Sequence, residues 1–168
     1  MSLGARGEGS AAPPGPPPLR PFGLRLHHDG RWSHEGQPIR HARLRAAFDR
    51  AVRFLPEEGE AGKYVVQLGR FRGEIEVEEA AFFVREVDLA EGTLRLSDGT
   101  REALDPATLR VSPIDGALLC VVKGFLAPGG LAARFLPGAQ SELLQAAEET
   151  SEGHALRLRG ALRTLPPL

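Results

Sequence analysis

The strongest periodicity in the chain is helical and begins just after residue 40. Taking Phe48 as the centre of a buried face, a step of about 100° per residue places Leu44, Ala51, Val52 and Leu55 on one stripe and Arg43, Arg50 and Arg53 opposite. This predicts an amphipathic helix ended by Pro56-Glu57-Glu58-Gly59, with His41 on its apolar stripe as a hydrogen-bonded structural histidine. Upstream, Leu24-Arg25-Leu26-His27-His28 and Arg31-Trp32-Ser33-His34 flank Asp29-Gly30, a pair suited to a tight primed turn, so a hairpin is expected. From Lys63 the period falls to two. In Arg70–Val77, Arg70, Arg72, Glu74 and Glu76 alternate with an otherwise apolar set, which reads as a strand with one wet face. Phe82-Phe83-Val84 is apolar on both parities and predicts a more central strand, and Gly92–Leu96 with the turn Ser97-Asp98-Gly99-Thr100 adds a second hairpin.

Asp105-Pro106 and Ser112-Pro113 punctuate a connection, after which Ala117–Val122 has the length and composition of a strand containing Cys120. Gly129-Gly130 reads as a turn, and Pro137-Gly138 opens a second helix over about Ala139–Thr150, with Ala139, Leu143, Ala146 and Ala147 on its stripe. Leu156, Leu158 and Leu162 then alternate with Arg157, Arg159 and Arg163, predicting one last strand with a basic face. A faint echo links the halves: each helix runs into an acidic, glycine-bearing loop and then a strand.

These elements define an α+β fold of two adjacent small units, each an antiparallel sheet packed with one main helix. The expected divisions are a disordered proline-rich leader over 1–21, a first unit over 22–104 and a second over 105–168. The leader reads as an inert tail, with a polyproline ligand for an aromatic groove as the alternative.

Composition changes this picture little. Lys+Arg of 21 against Asp+Glu of 22 leaves a net charge of −1, so no global field draws the chain to nucleic acid or to an anionic membrane. A single cysteine excludes an intrachain disulfide and, with no secretory or membrane-spanning pattern, suggests a cytoplasmic protein. The scarcity of lysine beside abundant arginine points to a GC-rich genome.

At Asp29-Gly30-Arg31-Trp32, Gly36-Gln37-Pro38-Ile39, Leu44 and Phe48, the chain resembles the bacterial family catalogued as domain of unknown function 1285 (DUF1285). Gly62-Lys63-Tyr64, Ile75-Glu76-Val77-Glu78-Glu79-Ala80-Ala81-Phe82 and Gly129-Gly130-Leu131-Ala132-Ala133-Arg134 with Glu142-Leu143 are similar to further blocks of that family. Departures include Glu79 and Ala81 where the family has Asp and Pro, and Ser141 where it has an aromatic residue. The resemblance implies a divergent member with a two-part α+β fold and a role in bacterial signalling or regulation. It brings no catalytic residues with it.

Glu74, Glu76 and Glu78 share one strand face, where oxygen ligands could hold a hard cation or carboxylates could serve a small hydrolase. Pairing with a neighbouring strand's arginines, such as Arg85, accounts for them equally well. His27, His28, His34 and His41 crowd together in sequence at no zinc-site spacing. No nucleophile elbow, Cys–His pair, P-loop or dinucleotide fingerprint is present, and Cys120 reads as core. Trp32 and Phe22 beside Arg31 could form a recognition surface, although a single Trp after a turn also serves to seal a core. The basic faces Arg43/Arg50/Arg53 and Arg157/Arg159/Arg163 are too sparse for strong phosphate binding. The expectation is therefore a non-catalytic binding or regulatory module for a protein partner or small ligand, with no cofactor or resident metal. Its binding candidates are Trp32, Arg31, His34 and Arg85.

Overall fold

A computed structural model describes residues 19–168; residues 1–18, most of the expected leader, lie outside the described residues. The first sheet contains β1 (Pro21–Leu26), β2 (Trp32–His34), β3 (Gln37–Pro38), β4 (Val52–Leu55), β5 (Lys63–Leu68) and β6 (Phe71–Val77). Its order is β3-β2-β1-β6-β5-β4, and α1 (Ala42–Ala51) crosses from β3 to β4. The second sheet contains β7 (Phe82–Asp88), β8 (Thr93–Leu96), β9 (Arg101–Ala103), β10 (Arg110–Val111), β11 (Leu118–Val122) and β12 (Leu131–Phe135), in the order β10-β11-β12-β7-β8-β9. A short 3₁₀ turn, Pro106–Thr108, makes its crossover. Helix α2 (Pro137–Gln145) then leads into a three-stranded sheet of β13 (Ala147–Thr150), β14 (Gly153–Leu158) and β15 (Ala161–Thr164).

The two large sheets follow one path. The chain starts at the centre, walks outward over three strands, crosses to the far edge and walks back until its last strand lies beside its first. That central pair is parallel in both cases, β1 with β6 and β7 with β12, so the sheets are mixed rather than antiparallel. The reason is geometric: in a three-strand arm the inner and outer strands point the same way, so a crossover joining two outer strands of equal direction makes the inner pair parallel. The chain passes from the first sheet to the second between Val77 and Phe82, and the expected division at 104/105 falls inside the second sheet. The segment α2-β13-β14-β15 repeats the second half of the path, α1-β4-β5-β6, which gives the sequence echo a structural basis.

Several boundaries depart from the periodicity. Helix α1 ends at Ala51, and Val52 turns extended to pair with Val66 across β5. The spacing Phe48, Ala51, Val52, Leu55 suits a helical stripe, but Val52-Arg53-Phe54 is also period two, and tertiary pairing selects the strand. Leu44, assigned to the stripe, is 41% exposed. His41 sits outside the helix as its N-cap, with Nδ1 accepting from the Leu44 amide at 3.3 Å. Helix α2 likewise stops at Gln145, and Ala147–Thr150 is a strand. The final stretch is two strands joined at Arg159-Gly160, both at positive φ as a tight primed turn requires. At the first hairpin Gly30 has φ 84° while Asp29 does not enter that region, so the link is the wider turn closed by the Gly30 amide on the His27 carbonyl at 3.0 Å.

One contiguous core joins all three sheets. Leu24, Trp32 and Val66 come from the first, Phe82, Val84, Cys120 and Phe135 from the second, and Leu156 from the third, with Phe48 and Leu143 from the helices. Burial pushes the Cys120 thiol up to about 12, so it stays protonated as a small apolar residue. Among the described residues no helix is long and apolar enough to cross a membrane.

Candidate functional site

A cleft of about 480 Å³ lies beside the first hairpin, lined in part by Arg25, His27, Arg31, Trp32, Ser33 and Glu76. The antiparallel register sets Arg25 opposite Ser33 and Leu26 opposite Trp32, and both leucines of Leu24-Arg25-Leu26 go to the core. Arg31 is highly exposed and pairs with Asp29 at 2.6 Å, which burial alone would disfavour as an anion but which hydrogen bonds from Arg31 hold below its ordinary pKa. Arg25 lies 3.9 Å from Glu76. His27 Nε2 and the buried Ser33 hydroxyl share a hydrogen bond of 2.9 Å. Two guanidiniums, paired with Glu76 and Asp29, and the Ser33–His27 hydrogen bond border this cleft together with Glu35, and guanidinium forks are the groups there suited to a carboxylate or phosphate.

Behind His27 the polar groups continue into the junction between the two sheets. The Glu78 carboxylate accepts from the His28 amide at 2.7 Å and from His28 Nδ1 at 2.9 Å, and these bonds hold its pKa below the ordinary range. Its nearer oxygen is 3.7 Å from His27 Nδ1, so the acid is committed to His28 and does not orient the Ser33–His27 pair. His28 Nε2 faces Asp115 at 3.8 Å. Asp115 is in turn bound by the Arg134 guanidinium, which keeps its carboxyl ionised well below the usual range. Arg134 also donates to Glu79 at 2.7 Å, and the Ser112 hydroxyl donates to the other Glu79 oxygen. This chain of bonds runs from the β1–β2 turn through the β6–β7 link to the β10–β11 turn and β12. His28, Glu78 and Asp115 are a histidine between two acids, but all three are partly exposed, Glu78 is hydrogen-bonded to His28 and Asp115 is held by Arg134.

The four binding candidates do not converge. Arg31 and Trp32 line the cleft, though Trp32 is almost wholly buried and seals the core through Phe48 at a ring distance of 5.4 Å. Its indole Nε1 donates to Asp49 Oδ1 at 2.8 Å, while Arg85 donates to Asp49 Oδ2 at 2.8 Å. Asp49 thus ties the first hairpin to β7, a role the sequence reading missed; the available signal was a lone acid in an arginine-rich helix next to Phe48. His34 sits apart near Phe22, with ring centroids 6.0 Å apart.

Arg85 lies on the second sheet and does not meet the glutamate face, correcting the expected pairing. Glu74 pairs with Lys63 at 2.9 Å, Glu76 with Arg25 and Glu78 with His28. Each carboxylate faces a separate partner, and among the described residues no group of three or more His, Cys, Asp or Glu is placed to hold a metal. On the basic faces, Arg53 donates to the Arg50 and Val52 carbonyls and Arg157 pairs with Glu148 at 3.3 Å.

No family model and no curated protein matches the sequence. Two crystal structures resemble it. A DUF1285 family protein from Silicibacter pomeroyi DSS-3 matches with a TM-score of 0.58 at 19% identity, over 93% of this chain and 90% of that one. A DUF1285 family protein from Shewanella baltica OS155 matches with a TM-score of 0.48 at 13% identity, over 74% of this chain and 91% of that one. The first of these spans nearly the whole of both chains, so the protein has the fold of a DUF1285 family member, in agreement with the sequence resemblance.

Proposed function

We propose that this protein is a non-catalytic binding module that takes a small carboxylate- or phosphate-bearing ligand in the cleft beside its first hairpin, and that it serves a regulatory role. The observation that carries this reading is the cleft itself. Its volume of about 480 Å³ is in the range of small-molecule sites, and Arg25, Arg31 and the hydrogen-bonded Ser33 and His27 line it. A regulatory role is supported by what adjoins it: His27 lines the cleft, and its neighbour His28 belongs to the bonds that join the two sheets. A ligand that draws on His27 therefore acts one residue from the inter-sheet contact. The hydrolase reading of Glu74, Glu76 and Glu78 draws no support, since those carboxylates are each engaged by a different partner, Lys63, Arg25 and His28.

The test is a thermal-shift panel of small mono- and dicarboxylates and phosphate monoesters, followed by calorimetric titration of any hit. A ligand at a hundred times its Kd stabilises by about 2.7 kcal/mol, which raises Tm by roughly 5–10 °C in a chain of this size. The shift should vanish in Arg25→Ala and Arg31→Ala and persist in Arg110→Ala. A flat panel, or a shift indifferent to both cleft arginines, refutes the proposal.

A further inference from the structure

The C-terminal sheet is half of a pattern that the rest of the molecule completes twice. In each six-stranded sheet the last strand of the inward walk, β6 or β12, has a parallel strand on its far side, β1 or β7. Strand β15 holds the same place, following a helix that runs into β13 as α1 runs into β4. Among the described residues no strand lies on its outer side. All four of its residues are exposed, Leu162 at 45%.

We propose that this edge docks an extended acidic segment of a partner protein, which adds to β15 as a parallel strand where β1 and β7 stand in the other two sheets. The backbone is arranged for it. The two-residue turn at Arg159-Gly160 closes on the pair Leu158–Ala161, so Ala161, Arg163 and Leu165 face β14 and the Leu165 amide bonds the His154 carbonyl at 2.8 Å. Leu162 and Thr164 therefore turn their N–H and C=O outward, away from any partner strand in this sheet. An edge of this kind is a template for strand addition.

The surroundings select the occupant. A cleft of about 550 Å³ runs along β15, between Leu158, Arg159 and Arg163 on one side and Leu104, Asp105 and Pro106 on the other. Arg163 has no ion pair among the described residues, and Arg159 donates to the Glu91 carbonyl at 2.7 Å, which leaves its charge uncompensated. Asp105 is the one acid lining the cleft, and its oxygen is engaged with the Ala107 amide at 3.0 Å. Acidic side chains on alternate positions of an incoming strand complement this charge. A second copy of the chain fits less well, because two-fold pairing of β15 with itself is antiparallel and crowds the arginines of both copies. The proline-rich segment 13–18 has a single amide donor, at Gly15, where strand addition needs them at alternate residues.

The experiment selects a displayed heptapeptide library on the full chain and measures the enriched peptides by fluorescence anisotropy. Enriched sequences should alternate acidic with apolar or β-branched residues. Leu162→Pro, which removes an outward N–H without touching the β14 ladder, should weaken binding at least tenfold, and Arg163→Glu at least fivefold. N-methylation of the peptide at alternate residues should abolish binding on one parity only, a readout that leaves the protein unaltered. Failure to enrich any peptide, binding that is indifferent to both variants, or a dimer in sedimentation that Leu162→Pro dissolves would each overturn the assignment. The cleft at the first hairpin plays no part in these outcomes, so the two proposals stand or fall separately.

Discussion

The two six-stranded sheets trace the same strand path yet hold their charges in opposite ways. At the β1–β6 joint of the first, Arg25 and Glu76 form a loose pair with side chains 48% and 79% exposed. At the β7–β12 joint of the second, Arg134 stands opposite Phe83 with its side chain only 7% exposed, bound to Glu79 and Asp115. Lys123 is equally buried, 2.9 Å from Asp98 and 4.9 Å from the centre of the Phe82 ring. Burial disfavours ionisation of Asp98 most, but hydrogen bonds from Thr100 and Lys123 together outweigh it and keep the carboxylate charged. The difference follows from depth. Arg134 and Lys123 are desolvated and must be paired, while Arg25 and Glu76 remain in water, as does the Arg95–Glu86 pair between β8 and β7. A strand path is thus compatible with either interior, and burial rather than topology decides which ion pairs matter.

The largest test of that contrast is Arg134→Ala against Arg25→Ala. Removing Arg134 strands the buried Glu79 carboxylate and should cost about 3–5 kcal/mol, a fall of roughly 10 °C in Tm by calorimetry. Removing Arg25 should cost less than about 1 kcal/mol. Equal losses would erase the distinction.

The glycines sharpen the same comparison. In the second sheet Gly130 has φ 72°, and an added Cβ would lie 2.3 Å from Val121 Cγ1 and 2.9 Å from the Val122 carbonyl. Gly130→Ala should therefore cost roughly 3 kcal/mol in urea unfolding, strain and overlap combined. Gly36 in the first sheet has φ 79° but open space around it, and Gly36→Ala should cost about 1 kcal/mol.

Asp49 joins the two halves, and its loss is intermediate. Asp49→Ala leaves the buried Trp32 Nε1 without its acceptor and frees Arg85, for about 2 kcal/mol in the same measurement, with a red shift of Trp32 emission.

The smallest effect is on pH dependence. Glu78 and Asp115 have folded pKa values depressed by His28 and Arg134 respectively, so their contribution is full above the ordinary carboxylate range and disappears as pH falls through the folded values. His28→Ala removes the bond from the imidazole to Glu78 and should move the acid-unfolding midpoint, followed by Trp32 fluorescence, to slightly higher pH.

Local chemistry made much of the fold legible. The hairpin at Asp29-Gly30, the wet-faced strand ending at Val77, the central Phe82-Phe83-Val84 and the buried Cys120 all follow from alternation and turn residues close in sequence. The helix ends at Ala51 and Gln145 did not, because Val52-Arg53-Phe54 and Ala147–Thr150 satisfy helical and extended spacing alike until a partner strand takes them. Of the four binding candidates, Arg31 and Trp32 line the cleft beside the first hairpin, and both were legible from the residues around one turn. Asp49 was missed because its value lies in reaching Trp32 and Arg85 at once, 17 and 36 positions away.

The amino-acid order alone determined which segments are amphipathic, where the chain turns, that the cysteine is core and that no global charge directs its binding. Only the tertiary structure decided the direction of strand pairing, the repetition of one path across two sheets and the distinct partner assigned to each glutamate. Alternation and turn preference act between neighbours and are written locally. Pairing partners, depth and the open edge of β15 depend on which distant backbone arrives alongside, and that is set by closure of the whole core.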